Sequence, residues 1–169
     1  MANMPRFNRR QCLTTGSAVL LSTLFEGGFV LGAGLELAVI VHPANRTSLS
    51  IAEIAQIFKT TRRFWSGSTG IMAFNLPPGS PDRELFDRVV LGMDPETALR
   101  FWIDRKIRGG KPPPRIVPEA GIVLSIVQKV EAAIGYVPVQ LVNTGVRVIA
   151  RVRDNGAELG VGLIASGDV

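Results

Sequence analysis

Leu35-Glu36-Leu37-Ala38-Val39-Ile40-Val41 is a nearly continuous apolar run, and it stops at His42-Pro43-Ala44-Asn45. A run of this length without polar alternation reads as a strand covered on both faces. Pro43 ends it, because proline cannot donate to a central ladder. A few residues on, Ser50 and Glu53 form a capping box in which each satisfies an orphan amide of a helix start. Leu49 and Ile54 are placed as its hydrophobic staple, and Ile51, Ile54, Ile57 and Phe58 make the apolar stripe of that helix.

The same alternation continues outward. Residues 60–69 read as a polar, basic loop around Phe64 and Trp65, and Ile71-Met72-Ala73-Phe74 as a second short strand. Asn75-Leu76-Pro77-Pro78-Gly79 is a turn. Ser80-Pro81 then opens a helix, with Ser as N-cap and Pro in the first turn, buried through Leu85, Phe86, Val89 and Val90. Asp94-Pro95 repeats this start for a helix running to about Arg105 and buried through Leu99 and Trp102. Residues 109–114 must be loop, and Arg115-Ile116-Val117 reads as a short strand. Pro118-Glu119 starts another helix carrying Ile122, Val123, Ile126, Val127 and Val130. Ile134-Gly135-Tyr136-Val137 reads as a strand. Val146 to Val152 alternates with period two and reads as an edge or half-exposed strand, with Arg147 and Arg151 on one face. The βαβα order predicts an α/β fold, a three-layer-like sandwich of a mixed sheet with helices packed on it.

Composition narrows the function. Of 169 residues, 46% are apolar and 20% charged, enough to bury a core and far from a disordered chain. The net charge is +5 and the pI about 10.1, which raises the question of nucleic acid. The 19 basic residues are spread, however, and no aromatic series alternates with them as a stacking platform requires. We therefore expect no nucleic-acid partner. One cysteine, Cys12, excludes an internal disulfide framework and a cysteine-cluster metal site, and one histidine, His42, leaves no His pair. Carboxylates are dispersed and no glycine-rich phosphate loop of Walker or dinucleotide type is present. No enzyme, no metal and no cofactor is expected.

The N-terminus reads as an address. Met1–Arg10 is short and basic, an apolar stretch follows from Ala18 to Leu35, and Arg9-Arg10 stands just before it. A basic n-region, an apolar h-region and a small-residue exit form export-signal chemistry, here of the twin-arginine kind. Glu26 interrupts the apolar part, and cleavage after Gly32 or Ala33 is expected. An uncleaved membrane anchor is the alternative. Three arginines and one glutamate lie in residues 1–33, so the remainder carries +3. The organisation expected is an export signal over 1–33, one domain over 35–153, and a Gly-rich tail over 154–169.

Several segments, in order, resemble one family. They are Val39-Ile40-Val41-His42-Pro43-Ala44-Asn45, then Leu49-Ser50-x-x-Glu53-x-x-x-Ile57-Phe58, then Trp65 with the turn Ser66-Gly67-Ser68. Gly79-Ser80-Pro81-Asp82-Arg83-Glu84-x-Phe86, Val90-Leu91-Gly92 and Ala133-Ile134-Gly135-Tyr136-Val137 follow. Over about residues 36–138 the chain resembles the phosphate ABC transporter solute-binding proteins, which have the periplasmic-binding-protein-like fold. The resemblance implies one lobe of a type II periplasmic binding protein and a non-enzymatic, periplasmic or secreted solute-binding role. It also implies an inorganic oxyanion such as phosphate as ligand, and a membrane permease or other envelope protein as partner. The mature length suffices for one of the family's two lobes, so a second copy of the chain is a further expected partner.

In the family, a helix start bearing Gly-Ser-Gly-Thr presents amides and hydroxyls to the oxyanion, using free N–H groups and the positive end of the helix dipole. Gly79-Ser80 match its first two positions. Pro81 lacks the third amide, Asp82 puts a carboxylate where a hydroxyl belongs, and Leu76 stands in place of an arginine. An ionised Asp about 4 Å from a phosphate repels it by roughly 4 kcal/mol at an effective dielectric of 20. These departures keep an alternative open, an interaction module that retains the lobe without the ligand.

The candidate ligand-binding residues are Asn45, Asn75, Ser80, Asp82 and Arg83. Ser80 is a helix cap or an anion ligand, and Asp82 and Glu84 are dipole-complementing charges or contacts to a cation or amine. Arg83 turns to the cleft or lies on a solvated face. Asn45 follows a strand end, where α/β proteins place ligand contacts, or it stabilises a turn. Arg62, Arg63 and Trp65 form a basic-aromatic loop that either meets a partner or anchors a tryptophan beside solvated arginines. His42 reads as structural.

Overall fold

A computed structural model describes residues 34–160; the expected export segment 1–33 and residues 161–169 of the expected tail lie outside the described residues. Six strands, β1 (Leu37–Val41), β2 (Met72–Asn75), β3 (Arg115–Ile116), β4 (Ala133–Pro138), β5 (Arg147–Arg153) and β6 (Gly156–Leu159), form one mixed sheet. Their order is β3-β2-β4-β1-β5-β6. β2 runs parallel to β3 and β4, while β1 is antiparallel to both of its neighbours, β4 and β5. Every residue of β1 is buried, as its unbroken apolar run requires.

Four helices pack on this sheet: α1 (Ile51–Phe58), α2 (Pro81–Phe86), α3 (Pro95–Ile107) and α4 (Ala120–Lys129). The Ser50–Glu53 capping box forms in both directions, and Leu49 and Ile54 are both buried. Ser80 caps α2, which widens into a π-helical turn over Asp87–Leu91 and stops at Gly92, where φ is +67°. Only a residue without a side chain takes that conformation without strain.

The layering can be read at two consecutive residues of β4. Gly135 faces α4, so closely that a Cβ there would overlap Val123 Cγ1. Tyr136 points to the other face, where its ring stacks on Phe86 of α2 at 4.0 Å between centroids and lies 5.8 Å from Phe58 of α1. Helices therefore cover both faces, and the chain has an α/β sandwich architecture built on one mixed sheet. Trp65 is buried, and its Nε1 donates to the Ala132 carbonyl at 3.0 Å, which pins the loop after α1 to the start of β4. Among the described residues no helix is long and apolar enough to cross a membrane.

Three expectations need correction. α3 is not buried through Leu99, which is 61% exposed: Ala98 is its buried residue, and Trp102 is half-buried. The helix touches the body along a narrow line, so the small residue faces inward and the larger ones lie to the sides. β5 is not an edge strand, because β6 pairs with its outer side; residues 156–159 of the expected tail belong to the sheet. The alternation that suggested an edge comes from Arg147 and Arg151, which snorkel to Asn45 and Glu36.

The Gly135–Val123 contact makes a prediction. Gly135→Ala should destabilise the protein by about 1–3 kcal/mol in urea unfolding, as overpacking does. In combination with Val123→Ala the two costs should fall well short of their sum, because the second change vacates the space. Additive costs would show that the two faces do not meet there.

Candidate functional site

In an α/β sheet, ligands gather where parallel strands end. Here β2 and β3 end side by side, with Asn75 opposite Ile116 and the Val117 amide donating to the Asn75 carbonyl at 2.8 Å. Each strand then feeds a helix. β2 leads through Leu76-Pro77-Pro78-Gly79 into α2, and β3 leads through Val117-Pro118-Glu119 into α4. Two helix N-termini, each the positive end of a dipole, thus begin at one end of the sheet. Ser80 caps the first. Glu119 makes no side-chain cap on the second, so the opening turn of α4 lacks that satisfaction.

The side chains at the β2 exit are already engaged. Asn75, 1% exposed, accepts through Oδ1 from the Tyr136 hydroxyl, and that hydroxyl accepts from the Leu76 amide at 3.3 Å. Burial pushes the Tyr136 pKa up, so it stays a neutral donor. Ser80 donates through Oγ to the Pro77 carbonyl at 2.9 Å and accepts from the Arg83 amide at 3.4 Å. Asp82, half-buried in the first turn of α2, has its pKa raised by burial.

Arg83 does not lie on a solvated face, and where it borders a hollow beside Gly79 and Ile116 its guanidinium is already engaged. It is buried: Nε donates to Asp87 Oδ2 at 2.6 Å and Nη1 to the Leu76 carbonyl at 3.0 Å. Burial raises the Asp87 pKa, and the Arg83 charge acts against that rise. Among the described residues, Asp87 Oδ1 has no hydrogen-bond partner. A buried charge pair is costly to break, since the survivor is left desolvated and unpaired. Arg83 is therefore a clamp that fixes α2 to the loop leaving β2.

Asn45 is not brought to this group. Because β1 is antiparallel to β4, with Val41 opposite Ile134 and Leu37 opposite Pro138, the chain leaves β1 at the end of the sheet where β2 and β4 begin. There Asn45 Oδ1 accepts from the Thr47 amide at 3.0 Å, and its carbonyl accepts from Arg147. It stabilises a turn, and His42 does the same, accepting from the Ala44 amide at 3.1 Å. Asn75, Ser80, Asp82 and Arg83 lie together. Sequence reasoning missed Tyr136, Asp87 and the opening turn of α4. The i,i+4 spacing of Arg83 and Asp87 was the available signal for one of them. Among the described residues, no group of three or more His, Cys, Asp and Glu side chains is placed to hold a metal ion.

Comparison with known proteins places this architecture. No protein-family model matches the sequence, and no curated protein does. Solved structures do match. A protein of Clostridium perfringens, assigned to the phosphate ABC transporter substrate-binding proteins and crystallised with phosphate, aligns over 68% of this chain and 44% of its own, at 23% identity and a TM-score of 0.55. An ABC-type phosphate transport receptor from Vibrio cholerae aligns over 68% and 46%, at 17% identity and a TM-score of 0.54. PstS from Borrelia burgdorferi aligns over 68% and 47%, at 14% identity and a TM-score of 0.52. The likeness is one of fold, and the chain spans less than half the length of each of these proteins.

The clamp can be tested by unfolding. Arg83→Met should cost about 3–5 kcal/mol in urea denaturation, the cost of a buried carboxylate left unpaired. Arg100→Met, which breaks the exposed pair with Glu96, should leave the midpoint almost unchanged. Equal small effects would show that Arg83 is not buried against Asp87.

Proposed function

We propose that the chain is an exported, non-enzymatic solute-binding lobe of the phosphate-binding kind, with an oxyanion such as phosphate as its ligand. The observation that carries this reading is the architecture it has in common with three phosphate-transport proteins. The pair of helix N-termini at the ends of β2 and β3 supports it, because such ends attract anions through free amides and dipole. The ligand lies against the first turns of α2 and α4, with the Ser80 hydroxyl re-aimed from Pro77 as a donor. Residues 1–33 are its export signal, cleaved after Gly32 or Ala33 or retained as an anchor, and the lobe works in the periplasm or outside the cell. A permease, another envelope protein or a second copy of the chain supplies the facing wall of the site.

A second reading has its own observation. Asn75, Ser80 and Arg83 already have hydrogen-bond partners within the protein, and Pro81 removes an amide from the start of α2. This favours a lobe kept as a protein-interaction module with its ligand lost.

Calorimetric titration separates the two. The full chain, titrated with phosphate, sulfate and chloride at matched ionic strength, should bind phosphate selectively. Ser80→Ala should weaken that binding roughly 10- to 150-fold, the equivalent of about 1.5–3 kcal/mol for a hydrogen bond to a charged group. If none of the anions binds and Ser80→Ala costs only about 1 kcal/mol of cap stability, the module reading stands instead.

A further inference from the structure

The opposite end of the sheet carries a cleft of about 330 Å³ that the solute-binding reading does not use. It lies between the end of α1, the start of β2 and the segment 111–115 that leads into β3. Its floor is apolar, built from Ile57, Ile71, Met72 and Ala73. Its rim is cationic, carrying Arg62, Arg63, Lys111 and Arg115. Arg62 is compensated by an ion pair with Glu53. Arg63, Lys111 and Arg115 have no carboxylate partner among the described residues, and no acidic side chain lines the cleft.

Three uncompensated cations around one hollow repel each other and are relieved by an anion. The walls that hold them are themselves fixed. Trp65 is anchored on Ala132, the Ile71 amide donates to the Arg63 carbonyl at 2.8 Å, and the guanidinium of Arg63 sits 5.5 Å over the Phe64 ring. Thr60, which lines the cleft, turns the chain at the end of α1 with a φ of +56°. The apolar floor gains nothing from a bare inorganic ion, whereas it is well suited to cover an apolar group.

We infer that this cleft is a binding site for an anion that carries an apolar group, of the alkyl or aryl phosphate kind. It is separate from the proposed oxyanion site, being at the end of the sheet where β2 begins and not where it ends. A free phosphate ester and the esterified phosphate of an anionic lipid both pair a phosphate anion with an apolar group, and the test must include both.

The full chain is titrated with phenyl phosphate, with inorganic phosphate and with phenol, and is also sedimented with phosphatidylglycerol vesicles. Each measurement is repeated on Lys111→Gln/Arg115→Gln, whose two positions are exposed. In the component of binding that Lys111→Gln/Arg115→Gln removes, phenyl phosphate should exceed both inorganic phosphate and phenol at least tenfold if the ligand is a free ester, and the vesicles should carry the protein down if it is a lipid. In either case the double variant should lose at least tenfold in affinity, and binding should weaken as salt rises. The inference fails if neither probe binds, if the part of the binding lost in the double variant is as strong for inorganic phosphate as for its phenyl ester, or if the double variant binds phenyl phosphate and the vesicles like the parent. The Ser80→Ala variant should leave this site unchanged, so a failure here is distinguishable from a failure of the oxyanion reading.

Discussion

The guanidinium of Arg83 is the point on which the β2–α2 junction depends. It is buried, its charge acts against the rise that burial imposes on the Asp87 pKa, and it holds a main-chain carbonyl in the loop leaving β2. Tyr136 takes the next amide of that loop and the side chain of Asn75. Apart from Asp87 Oδ1, the buried polar groups named at this junction find partners within the protein. The stacked rings of Tyr136 and Phe86 then bring α2 onto the sheet. This arrangement fixes where Ser80 stands and where the first turn of α2 points, at the cost of withdrawing the nearest cation from any ligand.

The two ends of the sheet consequently differ in chemistry. At the end where β2 and β3 finish, attraction for an anion comes from helix starts and a hydroxyl, with the nearby charges paired or acidic. At the end where they begin, it comes from full side-chain charges around an apolar floor. The first arrangement is directional and suits a small ion held by several short hydrogen bonds. The second is long-ranged, salt-sensitive and tolerant of a larger molecule.

Much of the fold was legible in the sequence because the signals were local. The capping box at Ser50 and Glu53, the Ser-Pro and Asp-Pro helix starts, and the apolar run of β1 each rest on physics within a few residues. What could not be read was non-local. An apolar run shows that a strand is buried on both faces, and says nothing of its direction. Reading β1 as antiparallel needed its partners, and that direction is what carries Asn45 away from Ser80. β6 was missed because four residues beside a Gly turn show no strand period, and pairing with β5 is what makes them a strand. Burial of Arg83 was hidden for a similar reason. An arginine in the first turn of a helix reads as solvated, and only the approach of Leu76 and the Asp87 carboxylate encloses it.

In the proposed reading the oxyanion sits at the paired helix starts beyond β2 and β3. Amide chemical shifts of the isotope-labelled full chain, followed by NMR during a phosphate titration, test it most directly. Saturable shifts concentrated in residues 76–84 and 117–122 are predicted. An absence of saturable shifts, or shifts confined to residues 60–63 and 111–115 at the other end of the sheet, would contradict it.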